Sequence, residues 1–101
     1  MCGLAGYDFK PGTVSEGKRA LLANVLGHLN DDRGGHSWGM VGFDENGEFD
    51  VKRGLGKIGA CAYELSGYNR LFLHTRYATH GARSVANAHP FEIGNVLGAH
   101  N

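Results

Sequence analysis

LFLHTRYATHGARSVANAHPFEIGNVLGAHN, residues Leu71 to Asn101, carries four of the six histidines (His74, His80, His89 and His100), two arginines and Asn101. Core-forming segments rarely hold so many polar groups, so this stretch is where chemistry is expected. A strand over Leu71 to Arg76 would put Leu71, Leu73 and Thr75 on one face and Phe72, His74 and Arg76 on the other, because strand side chains alternate. The guanidinium of Arg76 then stands at the strand's carboxyl end. A planar fork of donors there, followed by the hydroxyl and imidazole of Thr79 and His80, is suited to gripping a carboxylate in one orientation. The bland alternative is a solvated surface arginine, since loops are usually polar.

The rest of the chain sets the limits. Its 101 residues include ten basic and ten acidic side chains and have zero formal charge, so there is no electrostatic footprint for nucleic acid or an anionic membrane. That length makes one domain or less, with a single modest core. A 42% hydrophobic fraction suits a globular protein, and no apolar run approaches the ~20 residues of a membrane span. No signal peptide precedes the first motif, so a cytoplasmic location is the default expectation. Cys2 and Cys61 are accordingly expected to be reduced, with Cys61 a small buried hydrophobe. Seventeen glycines, spread rather than clustered, point to tight turns and close backbone approaches.

Working outward from the quoted stretch, Cys2 to Phe9 predicts a short strand ended by Lys10, Pro11 and Gly12. Thr13 and Glu16 have capping-box spacing, and Leu21, Leu22, Val25, Leu26 and Leu29 predict one apolar helix face, closed by Asn30, Asp31 and Asp32. Ser37 to Phe43, a turn over Asp44 to Gly47, and a return over Glu48 to Arg53 with Phe49 and Val51 inward predict a hairpin. Gly54 to Gly59 reads as a flexible connection and Ala60 to Leu65 as a short helix. A long loop through His89 and Pro90 follows the Leu71 strand, and Asn95 to His100 predicts a last strand. The sum is α+β, with sheet dominating.

Cys2 stands behind Met1 and before Gly3. Removal of the initiator methionine would make Cys2 the amino terminus, and an α-amine with a pKa near ~8 can take the proton of its own thiol without a separate histidine. Position alone favours a chance cysteine near a chain end. The combination of MCGLAGY, RGGHSWG, HTRYATHG, NAHPF and a closing HN, in that order over the whole chain, resembles the class II glutamine amidotransferases, a branch of the N-terminal-nucleophile hydrolases.

That resemblance implies a four-layer αββα sandwich, here shortened, with residues 1–101 as the N-terminal portion of a single glutamine amidotransferase type 2 domain. It also implies a glutaminase. The Cys2 thiolate attacks the side-chain amide of glutamine, ammonia leaves for an acceptor site on a synthetase domain or partner subunit, and a γ-glutamyl thioester is hydrolysed to glutamate. By the same analogy Asn101 supplies an oxyanion donor, Arg76 holds the substrate's α-carboxylate, Thr79 and His80 line the same pocket, and His89 shapes it. No cofactor and no metal are implied.

Departures from the family pattern are specific. The glycine that follows Asn in the family is missing, as is a later acid that grips the α-amine. A shortened polypeptide, a cleavage fragment or one piece of a split protein would each account for this. With Met1 attached, Cys2 has an amide in place of an amine, so these 101 residues alone are expected to show little or no glutaminase activity. His36 stands where many members carry an acid, which leaves the subfamily open. Rival readings are a catalytically idle binding or regulatory module of the same fold, an amidohydrolase acting on another γ-glutamyl amide, and zinc binding. Zinc is the weakest, because His74 and His80 lie six apart with no CxxC or HExxH pattern.

Overall fold

Strand β4 (Arg70–Arg76) lies inside a four-stranded antiparallel sheet ordered β1-β4-β2-β3, where β1 is Gly3–Asp8, β2 Ser37–Phe43 and β3 Phe49–Leu55. The computed structural model describes residues 3–77, together with the backbone of β5 (Phe91–Ile93) and β6 (Val96–Gly98). Helix α1 (Glu16–Asp31) and a 3-10 helix (Gly59–Leu65) complete the described elements. The class is α+β. β5 and β6 pair as a separate antiparallel hairpin; the expected last strand is present, while β5 was not anticipated in the sequence.

Alternation divides the sheet into two faces. Met40 lies opposite Leu73 and Trp38 opposite Thr75, and this face meets α1 and the 3-10 helix. Ala23, Trp38, Met40, Ile58, Ala62, Leu65, Leu71 and Leu73 form its core, flanked by Ala5, Tyr7, Leu26, Cys61 and Tyr68. The Cys61 thiol is half-buried against that core. The opposite face carries Leu4, Val41, Phe72 and His74. Val41 and His74 are fully buried there, so the middle of the sheet is covered on both sides, while Leu4, Phe49 and Leu55 at its edges stay exposed.

Helix α1 turns a different stripe inward from the one its leucines suggest. Arg19, Ala23 and Gly27 are buried, whereas Leu21, Val25 and Leu29 face outward. Stripes two positions apart lie about 160° apart around a helix, so both cannot face one sheet. The ridge with small residues wins because it permits closer approach: a Cβ on Gly27 would sit 2.5 Å from the Gly59 carbonyl oxygen. Capping is also shifted. Ser15, not Thr13, accepts from the Lys18 N–H, while the Thr13 hydroxyl donates to the Lys10 carbonyl in the preceding turn.

Two polar side chains fasten this layer. Arg19, 8% exposed, donates to the carbonyls of Val14, Ser66 and Gly67, joining the start of α1 to the end of the 3-10 helix. Asp31 accepts from Ile58 N–H at 2.9 Å and Gly59 N–H at 2.8 Å, joining the end of α1 to the start of the 3-10 helix. An anion at amides that have no intrahelical partner is favourable. The expected hairpin forms, but β3 runs on through Gly54 and Leu55, and Phe49 stays 47% exposed as an edge residue whose ring lies tilted against that of Phe43.

Candidate functional site

The amino end of β1, the carboxyl end of β4 and the amino end of β2 meet at one end of the sheet. Gly3 pairs with Thr75, and Arg76 pairs with Ser37. Consequently the residue immediately after Cys2 and the residue immediately before Arg76 are cross-strand partners. Of the residues singled out in the sequence, Arg76 is described. Cys2, Thr79, His80, His89 and Asn101 lie outside the described residues.

Close backbone approach defines this end. Thr75 is fully buried, and its hydroxyl donates to the Asn30 carbonyl at 2.7 Å, anchoring the strand to the last turn of α1. A Cβ on Gly3 would fall 2.3 Å from Asn30 Oδ1 and 2.7 Å from Thr75 Oγ1. A Cβ on Gly34 would fall 2.5 Å from Thr75 Cβ and 2.7 Å from the Thr75 carbonyl carbon. Side chains at positions 3 and 34 would therefore push apart β1, β4 and the loop that leads into β2. Gly3 of MCGLAGY and Gly34 of RGGHSWG are thus both confined by the same residue, Thr75.

Arg76 is half-buried on the sheet face of Phe72 and His74, directly across from Ser37. Ser37 is wholly buried, and its hydroxyl has no hydrogen-bond partner among the described residues. The Arg76 carbonyl accepts from the His36 N–H at 3.0 Å, and the rings of His36 and Tyr77 stack with centroids 4.3 Å apart. Sequence reasoning had singled out His36 only as a departure; its partnership with Tyr77 follows from the β2/β4 register, which a linear reading does not supply. A half-buried arginine whose backbone is held at a strand end can present its guanidinium as a planar anion-binding fork. No group of three or more metal-ligating side chains occurs among the described residues.

Fold and site together define a small α+β domain whose chain start and central strand converge. No family model matches the chain. Over its whole length it is 33% identical to a protein of Wigglesworthia glossinidia brevipalpis named glutamine--fructose-6-phosphate aminotransferase (isomerizing), of which it covers 16%. Proteins of the same name from Campylobacter jejuni and Pseudomonas putida are 36% identical over 89% of the chain and 35% identical over all of it. The chain thus spans about a sixth of the length of the curated relatives it matches. No helix among the described residues is long and apolar enough to cross a membrane.

Proposed function

We propose that this chain is the N-terminal portion of a class II glutamine amidotransferase domain that hydrolyses glutamine to glutamate and ammonia through a Cys2 thioester. The observation that carries the proposal is the pairing of Gly3 with Thr75, which joins the Cys-Gly start to the carboxyl end of the HTR strand. It gives a physical reason for motifs some seventy residues apart to act as one. The relatives' name, which couples glutamine to an aminotransfer onto fructose 6-phosphate, supports glutamine as the amide.

In this reading the Cys2 α-amine, freed by loss of Met1, takes the thiol proton directly or through one water, and the thiolate attacks the γ-amide carbon. The oxyanion meets the Asn101 side-chain amide. Nitrogen leaves as ammonia after receiving a proton from the α-ammonium, and water then cleaves the thioester to glutamate. Arg76 grips the substrate's α-carboxylate, with Thr79 and His80 beside it. The ammonia passes to an acceptor site on a synthetase or isomerase domain or subunit. That acceptor, by analogy with the relatives, works on a sugar phosphate.

An αββα sandwich also fits the sheet. One face lies under α1, and the other is apolar as well, with Val41 buried at its middle and Leu4, Phe49 and Leu55 exposed at its edges, as a sheet packed on a second sheet requires. The test uses the intact gene product: a glutamine-mimicking electrophile should add one equivalent of mass at Cys2, and Cys2→Ala should abolish both labelling and glutamate release. Turnover that survives Cys2→Ala, or full turnover with Met1 retained, would overturn the assignment of nucleophile and base.

A further inference from the structure

We propose that His36 is a positioning residue for Arg76, acting through its ring stack on Tyr77. The inference rests on the glutaminase reading and extends it to a residue with no contact to the reacting atoms.

Ser37 and Arg76 are the last paired residues of β2 and β4, so His36 and Tyr77 stand one step beyond the ladder. Strand ends fray unless something past the final pair holds them. Here the holding group is a ring pair, 4.3 Å between centroids and 28° from parallel. His36 is also tied on both sides through its backbone, because its N–H donates to the Arg76 carbonyl and its C=O accepts from the Gly56 N–H, each at 3.0 Å. It therefore links the ends of β3 and β4 through β2. Tyr77 is 48% exposed, and its ring rests on the imidazole of His36. Fixing the backbone on either side of Arg76 reduces the orientations its guanidinium can sample, and a bidentate grip on a carboxylate depends on orientation. An imidazole stacks on a phenol whether neutral or protonated.

Steady-state glutamate release by the intact protein separates the possibilities. His36→Ala is expected to raise KM for glutamine about 5- to 10-fold with kcat within about twofold, the signature of lost uniform binding. His36→Phe keeps a ring and is expected to return KM to within about twofold of wild type. An unchanged KM in His36→Ala, a fall in kcat at constant KM, or a His36→Phe protein as impaired as His36→Ala would each overturn the proposal. If His36→Ala does not fold, Tyr77→Leu tests the same stack, a raised KM supporting the proposal and an unchanged KM overturning it. Wild-type protein that releases no glutamate would sink the glutaminase reading and this inference with it, whereas active wild type with indifferent variants sinks the inference alone.

Discussion

Gly3 has the least room of the residues at the site end of the sheet, since a methyl group would meet Asn30 Oδ1 and Thr75 Oγ1 at once. Thr75 is committed through its own bond to the Asn30 carbonyl, and Asn30 through its amide, which donates to the Leu26 carbonyl at 2.8 Å. Neither neighbour can yield without losing a hydrogen bond. Gly3→Ala should accordingly destabilise the fold by about 1–3 kcal/mol, the usual range for overpacking, measured as a lower urea midpoint. In the intact protein it should also lower glutamate release more than stability alone accounts for, because the displaced residue is next to Cys2. Tyr7 is perturbed for a different reason. Burial raises its phenol above the ordinary tyrosine range, and the nearby Arg19 guanidinium opposes only part of that. A folded-state pKa above the unfolded value of 10.0 means a contribution to stability that is complete below pH 10 and lost as pH climbs through the folded pKa. Urea midpoints measured from pH 8 to 11 should fall more steeply for wild type than for Tyr7→Phe.

Helix α1 shows how an element can be foreseen while its contacts are not. Its existence and its stop follow from periodicity and from the Asn30, Asp31, Asp32 run. Its inward face follows from Ala23 and Gly27, whose advantage is visible only once the 3-10 helix lies across them. The same is true of Asp31, which in one dimension only closes the helix, and of Arg19, whose three carbonyl partners come from outside α1. Arg19 saturates three carbonyls in a buried site without a carboxylate, so Arg19→Met, which keeps the stem, leaves those acceptors without it. A loss of about 2–4 kcal/mol is expected in chemical denaturation. By contrast, breaking the exposed Lys52–Glu64 pair with Lys52→Met should leave the urea midpoint essentially where it is in wild type, although the N–O distance is only 2.8 Å.

Across the whole molecule, the sheet order β1-β4-β2-β3 is what turns separate motifs into a site. Composition and periodicity were sufficient for the α+β class, for β1, α1, the first hairpin and β4, and for placing Arg76 at the end of β4, because alternation and turn chemistry are local properties of the chain. The family resemblance, rather than periodicity, singled out Cys2, Thr79, His80 and Asn101, which lie outside the described residues. Register is not local. That Gly3 faces Thr75, that Gly34 presses on the same threonine, and that His36 stacks on Tyr77 depend on which strand lies beside which. The amino acids by themselves determined the α+β class and where most of the strands lie. Only packing in three dimensions decided which of those strands meet, because pairing between distant strands is chosen by burial of the shared face rather than by any property of one strand alone.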